Sequence, residues 1–381
     1  MRASIPISAF VAAFVGFGGT LALIIAAANA LGATQLQTAS WVTAICLAMA
    51  AESLWLSWRT RMPVITAWST PGAALVAASS GFSIADGVGA FIVTAVMLVL
   101  TGLFRPLTRL ISRIPASVAS GMLAGIVVTF AINAVKTVPV DPWLILPLIA
   151  AFFVIRLFNP ALSVLAVLVG GGLAAYFSGR VGPLPTPELS TLTLIEPNFS
   201  LANVIGLAIP LYLVTMASQN LSGLAVLRAA GYEPDPGPII SVTGLFSLIS
   251  APFGALTTNL AAISAAICTG PDAHPDPAQR WKTGPFYALA YLIFAIFGAS
   301  LVGIFAVLPQ ALIVLVAGLA LLAPLANALS IALKEDSERM AATVTFAVTA
   351  SGLVAFGVGS AFWGLAAGLI VLALDRSRKR A

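Results

Sequence analysis

Long apolar stretches separated by short polar connections run through the whole chain. The pattern predicts uninterrupted helices near residues 7–30, 39–58, 84–104, 115–135, 142–157, 160–179, 200–228, 238–250, 284–306, 309–331, 339–356 and 358–374. Two further stretches, residues 63–80 and 253–269, are short and are interrupted by Pro and Gly. A membrane-spanning helix needs about 20 apolar residues. The pattern therefore predicts an all-α polytopic membrane protein with fourteen transmembrane segments.

A polar connection rich in proline, residues 181–198, divides the predicted segments into two sets of seven. An odd number makes the second set start from the opposite side of the membrane, so two similar halves would form an inverted repeat. The two interrupted stretches are segments 3 and 10, third in their halves, and each is predicted to be a short strand followed by a half-helix. Matching interruptions point to a transport site at mid-membrane. Kinks in two full-length helices are the alternative.

Composition and charge agree with a membrane protein. The chain is 60% hydrophobic and 8% charged, whereas a soluble domain carries about 25% charge. With the N-terminus in the cytoplasm, sixteen of the eighteen basic residues fall in inner loops, including Arg105, Arg109 and Arg113 in one loop, and only Lys136 and Arg180 fall outside. This bias predicts a multi-pass protein of the inner (plasma) membrane with both termini cytoplasmic. Basic residues confined to short loops do not indicate nucleic-acid binding.

The first interrupted stretch reads TAWSTPGAAL, residues 66–75. Ser69 or Thr70 is the predicted N-cap of a half-helix, which continues through Pro71 and Gly72. In the second stretch the half-helix is predicted to start near Thr258 and Asn259. Two helix N-termini facing each other in the membrane would bind an anion without a buried Lys or Arg.

Polar residues and glycines inside apolar helices supply further candidates. Ser218, Gln219 and Asn220 lie together in the eighth predicted helix, where they face either a substrate or a neighbouring helix. In the first helix, Gly16, Gly18 and Gly19 permit close approach of a helix or a ligand. Gly18 is kept as a substrate-binding candidate, although helix packing explains it equally well.

Ionisable residues within the predicted segments are few. Glu52, in the second helix, is either a proton-coupling carboxylate or a partner for Arg59. Asp86 begins the fourth helix, where an acid favours the helix N-terminus. His274 is the only histidine, so neither a histidine metal cluster nor a Ser/His/Asp triad is available. No Gly-rich phosphate loop with a Lys appears, which argues against an ATP-driven pump, and no cofactor is expected. An enzyme is disfavoured because the chain lacks clustered acids, His or Cys within the predicted segments, and no metal is expected.

Several segments together resemble the benzoate/proton symporter family, BenE type. They are TAWSTPGAAL (66–75), PLYLVTMASQN (210–220), APFG (251–254), AAISAAIC (261–268), AHPD (273–276), QRW (279–281) and GSAFWGL (359–365). The resemblance runs nearly the whole chain in the same order. That family is similar in fold to the uracil transporter and the anion-exchanger superfamily, with fourteen segments in a seven-plus-seven inverted repeat. It implies a core of residues 1–114 and 199–306, a gate of residues 115–180 and 307–381, and a periplasmic linker of residues 181–198.

The resemblance implies secondary transport of benzoate or a related aromatic carboxylate with H⁺ by alternating access. The carboxylate would lie between the two half-helix termini, with Trp68 beside the ring. In the uracil transporter, acidic residues on segments 8 and 10 contact substrate, whereas the matching positions here offer Ser218 or Gln219 and Ile263 or Ser264. Their absence suits an anionic substrate but leaves the proton site unassigned.

Two alternatives remain open on the sequence. The same fold could transport another organic anion or a nucleobase, or the protein could be a passive anion channel. Dimers are usual in the related fold, so a homodimer also remains open.

Overall fold

The computed structural model describes residues 3–104, 115–355 and 358–378, and it is mostly helical. The predicted inner loop that carries Arg105, Arg109 and Arg113 lies outside the described residues, as does the predicted boundary at residue 114.

The first half of the chain contains seven helices and one short strand among its described residues. They are α1 (Ser4–Ala30), α2 (Gln35–Thr60), β1 (Thr66–Trp68), α3 (Thr70–Ala77), α4 (Ile84–Leu103), α5 (Ala116–Lys136), α6 (Pro142–Phe158) and α7 (Pro160–Phe177). Helix α4 begins with a capping box in which Ser83 and Asp86 bond each other's backbone N–H groups. The Asp86 carboxylate also accepts hydrogen bonds from Asn198 and Asn203, so it fastens the end of the linker to this helix.

Besides two short 3₁₀ helices, Ala251–Phe253 and Pro277–Lys282, the second half contains eight helices and one short strand in the part that the structure describes. They are α8 (Leu201–Ala229), α9 (Pro236–Ser250), β2 (Thr258–Leu260), α10 (Ile263–Thr269), α11 (Thr283–Ile296), α12 (Gly298–Val307), α13 (Gln310–Ala332), α14 (Arg339–Ala350) and α15 (Ser360–Arg378). Helix α8 includes two π-helical stretches, Val204–Ala208 and Thr215–Asn220.

Among the described residues, eight helices are long and apolar enough to cross a membrane, or nine if one bent pair is counted as a span. That pair is bent by 61° between Pro277–Ile296 and Gly298–Val307, so the helix predicted for residues 284–306 is divided by a bend. The helix predicted for residues 339–356 ends at Ala350 instead, because Gly352 turns the chain with a φ of 68°. The chain is a multi-pass membrane protein.

The two strands cross at the centre of the protein and join its two halves. β1 pairs with β2 in antiparallel register, with Thr66 opposite Leu260 and Trp68 opposite Thr258. One further backbone bond extends the ladder at each end: Ser69 N–H to Thr257 O at 3.1 Å, and Ala261 N–H to Ile65 O at 2.9 Å. The short helices α3 and α10 follow directly after the strands. Since the strands are antiparallel, these helices run away from the crossing in opposite directions.

The second short helix begins at Ile263 and not near Asn259 as the sequence predicts. Residues 258–260 stay extended because they pair with β1. The Leu260 N–H also donates to Asn220 Oδ1 at 3.1 Å, which holds the strand against α8.

The helices pack in two groups around this crossing. One consists of α5, α6, α7, α13, α14 and α15, in which α5 packs against α13 and α14 and α6 packs against α7. The other consists of α1–α4 and α8–α12, in which α2 packs against α11 and α4 packs against α9. Helix α1 contacts both groups, since it also touches α7 and α13.

Candidate functional site

A cavity of about 350 Å³ lies between the strand crossing and helices α5 and α13. Its polar lining residues are Thr20, Thr70, Ser120, Ser218, Gln219, Ser222, Ser264, Tyr291 and Asn327. No acidic or basic side chain lines it among the described residues. Ligand pockets are commonly about 300–1,000 Å³, mostly apolar, with a few placed polar groups. The cavity therefore has the size and composition of a site for a small, partly apolar molecule.

Trp68 forms one wall of the cavity and is held in a fixed orientation. Its indole N–H donates to Thr20 Oγ1 at 2.8 Å, and the Thr20 hydroxyl donates to Gly16 O at 2.7 Å. Its ring centroid lies 5.6 Å from that of Phe17 and 6.4 Å from that of Tyr291. Such separations are typical of interacting aromatic side chains. Trp68 is only 2% exposed, so it offers the cavity one part of its ring and packs with the rest.

Gly16 brings α1 close to a group of hydroxyls on α10 and α11. A Cβ atom at this position would lie 2.9 Å from Ser264 Oγ and 3.3 Å from Tyr291 Oη. Ser264 donates to Ala12 O at 3.0 Å, which ties α10 to α1. The neighbouring Tyr287 hydroxyl donates to Thr66 O at 3.0 Å, so this bond holds β1 against α11. The hydroxyl groups thus border the cavity at the point where α1 passes the crossing.

The first turns of α3 and α10 border the same cavity, through Thr70 and Pro71 on one side and through Ala262 and Ile263 on the other. In α3, Ser69 Oγ caps the helix by accepting from the Gly72 N–H at 3.1 Å. In α10, no side chain caps the first turn. Helix N-termini carry a partial positive charge. The cavity therefore favours a negative group, although none of its lining side chains is charged.

The polar patch of α8 lies in the π-helical stretch Thr215–Asn220. Ser218 and Gln219 line the cavity, and the Ser218 hydroxyl donates to Val214 O within its own helix. Single π-helical turns often occur at functional sites because they change the direction in which side chains project.

Four of the sequence candidates thus lie at the cavity: Trp68, Thr70, Ser218 and Gln219. Three more candidates are close to the cavity but do not line it: Ser69, Gly72 and Asn220. Ser69 is fully buried and bonds Thr215 Oγ1 at 2.8 Å. A Cβ on Gly72 would come within 2.5 Å of Leu211 Cδ1, so this glycine permits α3 to approach α8.

The remaining candidates have other contacts. Thr258 and Asn259 belong to β2 and are fully buried, and the Asn259 side chain donates to Leu260 O at 2.9 Å. A Cβ on Gly18 would lie 2.5 Å from Leu165 Cδ1, so Gly18 faces helix α7. The cavity lining includes none of these three residues, Thr258, Asn259 and Gly18.

Glu52 is fully buried and is not among the residues that line the cavity. Its Oε1 is 2.5 Å from Thr258 Oγ1. It forms no ion pair among the described residues, and Arg59 is exposed, so the alternative of an Arg59 partner does not apply in this conformation.

Sequence reasoning missed three polar cavity residues, Thr20, Tyr291 and Asn327, and named Ser264 only as a position that matches an acidic residue of the uracil transporter. Gly16, one of the glycines of α1, also lines the cavity. Gly16 and Thr20 are four residues apart and therefore share a helix face. That spacing, with a hydroxyl in an apolar helix, was the available signal for α1. Tyr291 and Asn327 reach the cavity only through the tertiary packing of α11 and α13.

A family model and two relatives match almost the whole length of the chain. A family model described as benzoate membrane transport protein matches residues 2–374. The inner membrane protein YdcO of Escherichia coli (strain K12) is 41% identical over 379 residues, covering 98% of this chain and 97% of that one. The benzoate membrane transport protein of Acinetobacter baylyi is 34% identical over 369 residues, covering 96% and 94%.

Two solved structures share the fold. The transmembrane domain of the cyanobacterial bicarbonate transporter BicA has a TM-score of 0.63 at 15% identity, covering 98% of this chain and 95% of that one. The overall structure of SLC26A9 has a TM-score of 0.65 at 13% identity, covering 98% and 65%. At these identities the likeness concerns the fold alone. The family match and the relatives extend over almost the whole length, and the chain belongs to the benzoate membrane transport protein family.

Proposed function

We propose that the protein imports benzoate or a related aromatic carboxylate together with H⁺ across the inner (plasma) membrane. The observation that carries the proposal is an uncharged cavity with an aromatic wall that is bordered by the first turns of α3 and α10. Benzoate carries an aromatic ring next to a carboxylate. The aromatic wall suits the ring, and the helix N-termini beside it suit the carboxylate. The membership of the chain in the benzoate transporter family supports the same substrate class.

In the bound state, the ring packs against Trp68 and Tyr291, which supply apolar and edge contacts. The carboxylate faces the first turns of α3 and α10, where the Thr70 and Ser264 hydroxyls are near. Gln219 provides an amide that can donate a hydrogen bond. Fixed dipoles and hydroxyls hold an anion reversibly, whereas a buried Lys or Arg would bind it more tightly. Weak, multiple contacts suit a transporter that must release its substrate.

The position of the gate helix α5, which lines two cavities, supports alternating access. Ser120 and Leu123 line the cavity already described. Further along the same helix, Thr129 and Asn133 line a second cavity of about 280 Å³ at the far end of α3. Movement of the gate (residues 115–180 and 307–381) against the core (residues 1–114 and 199–306) would connect the substrate site to one side and then to the other.

The fourteen-segment organisation belongs to the same proposal. The two strand-and-helix units, β1 with α3 and β2 with α10, are the discontinuous third segments of two inverted halves of seven. Residues 181–198 form the periplasmic linker, and both termini lie in the cytoplasm. A homodimer is the proposed assembly.

Uptake of labelled benzoate into proteoliposomes with an imposed pH gradient, acid outside, tests the proposal. We expect gradient-dependent accumulation by the wild type, and loss of uptake when Trp68 or Gln219 is replaced by Ala. Trp55→Ala is the matched control, because Trp55 is 49% exposed on the outer face of α2. Absence of wild-type accumulation would refute the symport, and wild-type uptake in both cavity variants would refute the site.

Two further measurements separate the alternatives. Thermal-shift screening identifies the substrate, because a ligand that binds the native state raises the melting temperature by mass action. Another organic anion or a nucleobase that stabilises the protein more than benzoate does would change the substrate assignment. Uptake that persists after an uncoupler collapses the gradient would indicate a passive channel.

A further inference from the structure

The Glu52 carboxyl lies next to strand β2, inside the membrane-spanning part of α2. It is fully buried. Its Oε1 is 2.5 Å from Thr258 Oγ1, whereas its Oε2 has no hydrogen-bond partner among the described residues. The nearby Thr66 hydroxyl is engaged with Ser53 Oγ at 2.9 Å and with Met49 O at 3.2 Å. A buried acid with one unused oxygen is rare in a membrane protein unless it has a function.

No cation compensates this carboxyl in the part of the chain that the structure describes. The elements packed closely against α2 contribute four titratable or charged side chains, namely Tyr287 and Tyr291 on α11 and Arg280 and Lys282 in the turn before it. On α2 itself the other such groups are Cys46 and Arg59.

Each of the two cations in that turn is bound elsewhere. Arg280 donates to the carbonyls of Thr269, His274 and Pro275, and Lys282 donates to Gln279 Oε1. An ionised Glu52 would therefore be a buried charge without a counter-ion, which is strongly unfavourable. The present conformation suits the neutral, protonated acid.

The same carboxyl is connected to the substrate cavity through one strand residue. Thr258, its hydrogen-bond partner, lies opposite Trp68 in the ladder, and Trp68 forms a wall of the cavity. Thr258 is held in turn by Ser247, whose Oγ accepts from the Thr258 N–H at 2.9 Å. The buried acid and the cavity thus contact the same pair of opposed strand residues, Trp68 and Thr258.

We propose that Glu52 is the proton-binding residue of the symport, an inference that rests on the proposed function. A proton from the outer water binds the Glu52 carboxylate and forms the neutral acid. The acid releases that proton to the cytoplasm when the gate has moved. The substrate carboxylate remains an anion throughout, so one proton and one monoanion cross with no net charge. No covalent bond of the substrate changes.

Coulomb repulsion provides the coupling. An ionised Glu52 adds a negative charge next to Thr258 and opposes binding of a carboxylate in the cavity, whereas the protonated residue does not. Substrate and proton therefore favour the same state of the protein, and by linkage each raises the affinity for the other.

The test compares Glu52→Gln with the wild type in two transport modes. The variant keeps the size and hydrogen bonding of the neutral acid. We expect it to exchange internal for external benzoate at rates within about threefold of wild type, and to lose accumulation driven by a pH gradient. Glu188→Gln, at an exposed linker position, is the matched control and should accumulate benzoate like the wild type. Wild-type accumulation by Glu52→Gln would overturn the proposal.

A spectroscopic measurement does not depend on the substrate. Infrared difference spectra across a pH titration should show a carboxylic-acid C=O band in the wild type that Glu52→Gln lacks. In Thr258→Val, which keeps the acid but removes its hydroxyl partner, the band should shift in frequency. If the band persists in Glu52→Gln, another residue binds the proton. A wild type that neither exchanges nor accumulates benzoate refutes the proposed substrate, and the infrared band then tests Glu52 by itself.

Discussion

The hydrogen bond between Trp68 and Thr20 offers a sharp test of the substrate site. The Thr20 hydroxyl accepts from the indole N–H at 2.8 Å and donates to Gly16 O at 2.7 Å. Thr20→Val preserves the shape of the side chain and removes both bonds. Since Trp68 is 2% exposed, its N–H then has no partner unless the ring turns.

A buried donor without a partner costs about 1–3 kcal/mol. If the indole turns into the cavity to find water, benzoate must return it to its present orientation, and the same free energy is subtracted from binding. Because about 1.4 kcal/mol is a factor of ten, the loss corresponds to roughly 5- to 150-fold weaker affinity. Thr20→Ser keeps the hydroxyl and loses one half-buried methyl group, worth less than about 0.8 kcal/mol. We expect its affinity to stay within about threefold of wild type.

The assay is the concentration dependence of benzoate uptake in proteoliposomes, together with thermal shift of the purified protein. Thr20→Val should raise KM by the factor given above and leave the amount of folded protein unchanged. Thr20→Ser should resemble the wild type in both measurements. If Thr20→Val has a KM within twofold of wild type, the orientation of Trp68 does not matter for binding and the argument fails.

Three further outcomes are expected. Gly16→Ala should reduce benzoate uptake at least tenfold, because its Cβ would crowd the hydroxyls of the cavity. Gly19→Ala is the control, because its Cβ meets its nearest neighbour at 3.9 Å. Equal uptake by the two variants would contradict the site. Gly18→Ala should lower the melting temperature without raising KM, since its Cβ would press on Leu165, and a raised KM with unchanged stability would restore Gly18 as a substrate residue. Arg280→Lys should lower the melting temperature by several degrees, because the single nitrogen of Lys cannot take the place of the three guanidinium nitrogens with which Arg280 reaches three separate carbonyls. An unchanged melting temperature would contradict that role.

Much of the fold could be predicted because the membrane restricts the choices. Apolar length placed most of the helices within a few residues of their observed bounds, and the Pro71-Gly72 break correctly located the start of α3. The bend at Phe297 could not be predicted, since no Pro or paired Gly marks it and it depends on what packs around the helix. Local sequence gives the elements of this fold and tertiary contacts give their directions.

The candidate site could be predicted only in part for the same reason. Trp68, Thr70, Ser218 and Gln219 stand out as polar or aromatic residues at a break or in an apolar helix. Thr258 and Asn259 have the composition of an N-cap but form part of a strand, because a partner strand almost two hundred residues away takes up their backbone groups. Tyr291 is an ordinary aromatic residue in an apolar helix, and only the packing of α11 against α1 gives it a cavity to face.

The strand crossing also has a consequence for biosynthesis. Thr66 pairs with Leu260, so β1 is made about 190 residues before its partner. At about 5–20 residues per second, ribosomes need roughly 10–40 s for that interval. During this time the backbone groups of β1 have no strand to pair with, in a medium where unpaired N–H and C=O groups are costly. The newly made first half must therefore be shielded, by the insertion machinery or by its own helices, until β2 is inserted. The cavity is then among the last parts of the protein to form, and the first half of the chain does not make a complete folding unit.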